Sequence, residues 1–385
     1  MTPAARVQAS IEILDQILSG APVEKALTGW ARRSRFAGSK DRAAIRDHVF
    51  GALRCKRSFA AAGGVETGRG LMIGAMRMQE VDLDQIFNGE GYAPASLEEH
   101  EQAKPCESDA QKYDIPEWLW PTFQESLGDL TLPVAEALRA RAPVHLRVNL
   151  IKSSVDQAVS VLLADGIQAR PHPACSTALE VVEGERKISG SRAYTDGLVE
   201  LQDAASQAVV ESLDLNPGMR VLDYCSGGGG KALALAAHHG VDVFAHDVNA
   251  ARMRDLPARA ERAGAQITLL TNDEISAQAP FDIVLTDAPC SGSGSWRRAP
   301  AGKWSLTQDG LNRLTETQRT ILDDVAPLVG PAGVLAYATC SLLEVENGAV
   351  VDAFVAAHPE WTETFRKTWY VSHGTDGFFT SHLTR

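Results

Sequence analysis

The chain predicts an α/β protein. A doubly wound, mostly parallel sheet spans residues 199–385, preceded by a small α+β module over 131–198 and an all-helical segment over 1–130. Three observations predict this. From about residue 199, apolar strand candidates alternate with helical periodicity, the pattern of strands buried on both faces. The first 130 residues carry helical spacing without strand alternation. The chemistry-bearing residues Cys225, Asp247, Asp287, Cys290 and Cys340 each stand just after a predicted strand, where open α/β sheets collect their ligands.

In order along the chain, "ARVQASIEILDQILSG" places Val7, Ile11, Leu14 and Leu18 at helical spacing, and Gly20 stops the run. "SKDRAAIRDHVFGALRCKRSF" repeats the period through Ile45, Val49 and Leu53, with Ser39 as the expected N-cap. "SLEEHEQAKPCESDAQKY" is polar and acidic and reads as a surface connection; "DIPEWLWPTFQESLG" resumes as a helix opened by proline. At His145 the pattern changes to a strand, "HLRVNL", then helical "SVDQAVSVLLADG", then strand-like "IQARPHP" and "LEVVEG". The larger sheet begins with "MRVLDYC", which turns through "GGGGKALALAAHHG" into a helix. "VDVFAHD" follows, then a helix over "NAARMRDLPARAERAG" in spite of Pro257. "QITLL", a non-helical "SAQAP", "FDIVLTDAPC", the long helix "LTQDGLNRLTETQRTILDDVAPLV" and "GVLAYATCS" complete the alternation.

The 385 residues suffice for two or three domains. A hydrophobic content of 44% with 22% charged residues describes an ordinary globular protein. No apolar run approaches the roughly 18–20 residues of a membrane span. The amphipathic N-terminus lacks the basic stub and apolar core of a secretory signal, so no membrane partner is expected. Cysteines at 55, 106, 175, 225, 290 and 340 show neither CxxC pairing nor zinc-ligand spacing. No metal is expected, and reduced thiols in the cytoplasm follow. The net charge of −12 argues against a wholesale binder of polyanions. Its distribution softens that, because residues 1–60 hold 11 Lys/Arg against 5 Asp/Glu while residues 61–130 hold 4 against 14. The basic first segment reads equally as a polyanion footprint or as a solvated helical surface.

"DYCSGGGGK" is a glycine-rich strand-to-helix turn that lets a ligand approach backbone N–H groups. Asp247, after the next strand, stands where an acid hydrogen-bonds ribose hydroxyls. The pair fits a nicotinamide dinucleotide or S-adenosylmethionine; the lack of a clean GxGxxG register disfavours the dinucleotide. Asp287 is the second acid at a strand end, and Pro289 holds the preceding residue extended. Arg297 and Arg298 follow, as phosphate ligands or as solvated charges. Cys55, Cys106 and Cys175 read as small buried hydrophobes, and Cys225 as lining of the turn. Cys290 and Cys340 differ, since both close strands expected to be neighbours. A thiolate there could add to an electron-poor carbon. Cytosine needs this help, because its C5 cannot take a methyl from a sulfonium until a thiolate has added at C6.

"DAPCSGSG" with the following "RR.P..KW" pattern, "Y.TCS…EN", "LRVN" and "LQDAASQ" together resemble the Sun/RsmB (Fmu) family of S-adenosylmethionine-dependent RNA cytosine-5 methyltransferases. The similarity runs over most of the chain: "KDRAAIRDHVFGALR" resembles the family's antiterminator-like RNA-binding helical domain, and "DGFF" its last strand region. The resemblance implies a Rossmann-like class I methyltransferase domain acting as a monomer on RNA. The small-subunit (16S) ribosomal RNA is the expected substrate and transfer RNA the alternative. It implies Cys340 as nucleophile, Cys290 as the group assisting product release, and Asp287 as the acid near the base and the methionine end of the cofactor. It further implies Asp247 as ribose ligand and Cys225, Ser226, Gly227, Gly228, Gly229, Gly230 and Lys231 as the cofactor turn. Either Asn272 or Asp273 would meet the adenine. Where the family usually reads CAAPGGK, this chain reads "CSGGGGK"; Gly228 in place of proline relaxes the loop's unfolded-state restriction by about 0.4–1 kcal/mol. That turn is the one feature favouring a rival of another class, a non-catalytic RNA-binding assembly factor.

Overall fold

The helical periodicity of the N-terminus is realised at Pro3–Leu18, Val23–Arg33, Ser39–Arg54, Lys56–Gly63 and Gly68–Met78 in a computed structural model, which describes residues 1–385. Ile11, Leu14, Ile45, Val49 and Leu53 pack with Leu71, Ile73 and Phe87 in one core. Ser39 is the first helical residue rather than the cap. Gly38 takes the cap position, and its N–H donates to Asp41 Oδ2 at 3.2 Å. The acidic connection is not all surface, because Glu101 is buried against Arg69, with Nε to Oε1 at 2.5 Å.

These elements belong to a unit made of Met1–Gln124, Gly128–Arg141 and, from far along the chain, Trp296–Ser305. The late segment contributes the helix Pro300–Ser305 and answers the end of Ser39–Arg54, whose last carbonyls have no partner within the helix. Lys303 Nζ donates to Arg54 O at 2.9 Å and Trp304 Nε1 to Leu53 O at 2.6 Å. Arg54 Nε returns a bond to Arg297 O at 2.6 Å. Nearby, buried Asp114 accepts from Arg57 N, Ser58 N, Ser58 Oγ and Arg139 Nε at 2.8, 2.9, 2.8 and 3.0 Å. Burial lowers the Lys303 ammonium to about 8, with Asp114 opposing that shift. Arg297 is only 4% exposed, which fits neither of its two readings, phosphate ligand or solvated charge; packing in this unit has absorbed it. Arg298 is exposed.

The second unit comprises Glu125–Leu127, Ala142–Ser295 and Leu306–Arg385 and holds two sheets. The smaller is formed by β1 (Val144–Val148), β2 (Gln168–Pro171), β3 (Ala178–Glu183) and β4 (Val199–Leu201). Its order is β2-β3-β1-β4, antiparallel throughout. The helix Val155–Ala164 between β1 and β2 starts on a reciprocal Ser154–Gln157 cap.

The larger sheet contains β5 (Arg220–Asp223), β6 (Asp242–Ala245), β7 (Thr268–Leu269), β8 (Phe281–Asp287), β9 (Val329–Thr339), β10 (Thr362–Trp369) and β11 (Phe378–Thr384). The order is β10-β11-β9-β8-β5-β6-β7. The five strands from β9 to β7 are parallel, and β11 runs antiparallel to both β9 and β10. Successive residues feed opposite cores: Val221 and Ile283 one face, Leu222 and Val284 the other. The chain winds outward from β5 to β7, then returns to β8 on the other side of β5. The crevice between β5 and β8 is therefore the topological switch point.

Two local expectations fail here. Pro257 splits its helix into a 3₁₀ turn, Ala250–Met253, and the helix Leu256–Ala263, because proline fits a first turn and not an interior. The "SAQAP" stretch ends a real helix, Asn272–Gln278, started when Thr271 N donates to Glu274 Oε2 at 2.9 Å.

Candidate active site

After β5 the chain turns through Tyr224–Gly229 into the helix Gly230–Leu235. Gly229 has φ +79°, and a Cβ on it would lie 2.3 Å from Leu256 Cδ1, so only glycine fits. Gly228, in the position of the missing proline, has its carbonyl held by Arg259, itself paired with Glu200 at 2.9 Å. A charged side chain from the helix Leu256–Ala263 thus supplies restraint that a proline ring would have given.

Asp247, just past β6, is built into this turn. Its Oδ2 accepts from Gly227 N and its Oδ1 from Asn249 N, both at 2.9 Å, and Arg252 lies at 3.1 Å. A carboxylate has further lone pairs, so acceptor capacity remains. Next to it His246 spans from Tyr224 O at 2.8 Å to Asn272 Oδ1 at 2.6 Å. Asn272 lines a cleft of about 400 Å³ together with Asp247, Val248, Met253 and Leu270. Asp273 is exposed and outside that lining, so of the two expected candidates the structure brings Asn272 to the cleft.

A second cavity, about 450 Å³, brings together Cys225, Ser226, Gly227, Gly228, Gly230 and Lys231 of the turn with Asp287, Cys290 and Cys340. Lys231 Nζ donates to Asp287 Oδ2 at 2.6 Å and sits 4.8 Å over the Phe378 ring. Behind them Asp223 is fully buried, and neither of its carboxylate oxygens has a hydrogen-bond partner. Burial first, then the charge of Asp287, push its carboxyl up to about 7.

The two cysteines meet because their strands do. In the parallel β8–β9 pair, Thr286 lies opposite Tyr337 and Asp287 opposite Ala338, so the two loops leave the sheet side by side. Cys290 Sγ and Cys340 Sγ stand 3.4 Å apart. The hydrogen bond to Cys340 holds the Cys290 thiol well above its ordinary range, with burial and the Glu346 charge adding to the effect. Cys225 lines the same cavity, but burial and the surrounding aspartates push its thiol up as well, which disfavours a nucleophilic role. Cys55 and Cys175 are buried as expected, whereas Cys106 is exposed because it falls in the polar connection.

Several residues of the site carry no periodic signal and were not expected. Gln202 and Ser206, from "LQDAASQ", line the cavity. Arg147, from "LRVN", donates to Gln202 Oε1 at 2.5 Å and to Gly230 O at 2.6 Å, tying the smaller sheet to the glycine turn. His246 had one available clue, its place immediately before Asp247 at a strand end. No group of three or more His, Cys, Asp or Glu side chains is arranged to hold a metal ion. No helix is long and apolar enough to cross a membrane.

Comparison with known proteins agrees with this architecture. The family described as 16S rRNA methyltransferase RsmB/F matches residues 210–384, and the RsmF/B-like ferredoxin-like domain matches 115–186. Ribosomal RNA small subunit methyltransferase B of Salmonella arizonae is 31% identical over 293 residues, covering 74% of this chain and 68% of that protein. The protein of the same name from Citrobacter koseri is 31% identical, covering 76% and 69%. Among solved structures, PH0851 superposes over 100% of this chain and 99% of its own with a TM-score of 0.77 at 23% identity. NSun6 from Pyrococcus horikoshii, solved with SFG, covers 70% of this chain and 98% of its own with a TM-score of 0.62 at 16% identity. At these identities the structures show the shared fold.

Proposed function

The chain belongs to the RsmB/F family of 16S rRNA methyltransferases, and on that premise we propose that it methylates C5 of a cytosine in 16S ribosomal RNA through a covalent Cys340–C6 adduct. The observation that carries the reading is the 3.4 Å pair of thiols at the ends of adjacent parallel strands, in one cavity with the glycine turn and Asp287.

S-adenosylmethionine is the cofactor these residues fit. Asp247 keeps lone pairs for ribose hydroxyls beside the cleft that Asn272 lines for the adenine. Gly227, Gly228 and Gly230 expose backbone with no side chain in the way, while Lys231 and Asp287 flank the methionine end. Asp273 has no part in this assignment. When bound, the cofactor supplies an electrophilic methyl group on its sulfonium.

The protein's own residues do the rest. Cys340 Sγ adds to C6, and a proton held between Asp287 and N3 answers the charge that builds on the ring, with Lys231 donating to the same carboxylate. C5 thereby gains the electron density it lacked. After methylation the C5 proton passes to water in the cavity, the C5–H electron pair restores the C5=C6 bond, and the C6–Sγ pair leaves on sulfur, returning Cys340 to a thiolate. Cys290 assists this release, and its contact with Cys340 at 3.4 Å places it within reach of that step. The base leaves its stack to reach such a cavity.

Cys340→Ala is expected to abolish methyl transfer to 16S rRNA, and Cys290→Ala to leave a protein–RNA adduct on denaturing gels. Turnover by Cys340→Ala, with adduct formation lost in Cys290→Ala, would reverse the two assignments. Bisulfite sequencing of RNA from a deletion strain names the cytosine. Loss of a signal in transfer RNA, with 16S rRNA unchanged, would move the substrate.

A further inference from the structure

Each of the two cysteines is followed by a serine, and both serines reach the same buried carboxylate. Ser291, after Cys290, donates its N–H to Glu346 Oε1 at 2.7 Å and its hydroxyl to Glu346 Oε2. Ser341, after Cys340, donates its hydroxyl to that same Oε2. A fourth donor, Gln318 Nε2, comes from the helix Gln308–Val325 and reaches Oε1 at 3.1 Å while also donating to Pro289 O at 2.9 Å. Glu346 is itself held, since its carbonyl accepts from Tyr337 OH of β9 at 2.6 Å. Its side chain is fully buried and does not line the cavity. Four donors on one buried carboxylate are charge-assisted bonds in a low-dielectric setting, roughly twice as strong as neutral ones.

We propose that Glu346 is a positioning residue that sets the separation and mutual orientation of Cys290 and Cys340 by binding the serine after each. It thereby governs both addition to the base and release from it, without touching base or cofactor. This rests on the reading that Cys340 attacks and Cys290 releases. The network ties the residue after each cysteine to one acceptor, so the two loops cannot move independently. No residue of the cofactor turn belongs to it. Losing it should therefore leave cofactor binding intact while both thiol-dependent steps slow.

The test is Glu346→Gln, which keeps the shape but offers an N–H where four donors converge. Calorimetry with S-adenosylmethionine measures the cofactor site. Single-turnover reactions with a 16S rRNA transcript, normalised to the cofactor-binding fraction, give the rates of adduct formation and adduct decay separately. The expected result is unchanged cofactor affinity with adduct formation slowed on the order of 10²-fold, as for other small misplacements of reacting groups, and a longer-lived adduct. A purely structural role would lower the active fraction and leave both rate constants alone, and that outcome overturns the proposal. If Glu346→Gln also loses cofactor binding, the paired Ser291→Ala, Ser341→Ala variant removes the serine hydroxyls instead and must reproduce the selective slowing; wild-type rates in that pair likewise overturn it. Activity in Cys340→Ala would instead strike at the underlying reading, whatever Glu346→Gln does.

Discussion

Asp114 in the helical unit and Asp223 at the end of β5 are both fully buried, and burial is the leading cause that raises the pKa of each. Their surroundings differ in kind. Asp114 accepts from two backbone N–H groups, a serine hydroxyl and an arginine. Asp223 has no partner in good hydrogen-bond geometry, and only the Lys231 charge with loose approaches by Ser226 and the Ala232 N–H pull its pKa partly back down. A buried charge whose lone pairs are answered holds a fold together, while one left unanswered is a cost the fold carries at its site. Glu346 belongs with Asp114 by this criterion, yet three of its four donors are in the loops that carry Cys290 and Cys340. Satisfaction of hydrogen bonds therefore separates supporting residues from strained ones, and says nothing by itself about distance from the chemistry.

The comparison can be broken most sharply at Asp114. Asp114→Ala strands two backbone N–H groups and leaves Arg139 with only Glu136 and Ser58 as partners, and is expected to destabilise the full chain by about 3 kcal/mol with cofactor affinity unchanged; denaturant titration and calorimetry measure the two. At Asp223 the expectation concerns pH. The folded carboxyl keeps its proton to about 7 against an ordinary 3.8, so the folded state binds more protons across that window and stability falls as pH rises through it. Asp223→Asn should flatten that fall, which amounts to at most about 4 kcal/mol, and thermal melts from pH 4 to 7 would show it. A parallel decline in the variant would mean another group is responsible. The smallest effects lie in the glycine turn. Gly229→Ala should cost about 1–3 kcal/mol through its positive φ and the Leu256 clash. Gly228→Ala, whose Cβ would meet only Arg259 at 3.4 Å, should gain about 0.4–1 kcal/mol. Equal melting temperatures for the two variants would remove the distinction drawn between these positions.

Strand alternation made the parallel sheet legible, and strand-end position made the Cys290–Cys340 juxtaposition legible, because both follow from periodicity and topology alone. Glu346 was not legible in its role. Its four donors come from residues 28 to 55 positions away in sequence or five away across a turn, and no period marks a shared acceptor. The same holds for Arg147 and Gln202, which meet at the glycine turn from the smaller sheet. Local rules also misled where two of them competed: Pro257 was read through as helix although proline tolerates only a first turn, and Pro280 obscured the capped helix before it. Arg297 reads as a phosphate ligand or a solvated charge in a polar loop, and packing that sequence spacing does not report has buried it.

The decapeptide Trp296–Ser305 gives the molecule a clock. On a ribosome adding about 5–20 residues per second, Arg141 appears roughly 10–30 s before Ser305. Throughout that interval the helical unit lacks the lysine and tryptophan that close the end of Ser39–Arg54. The region made first is thus completed only after β8 has been made, while β9 and its cysteine are still to come. A separately produced N-terminal piece would stay at the unfinished stage of that schedule, with Leu53 and Arg54 still waiting for partners.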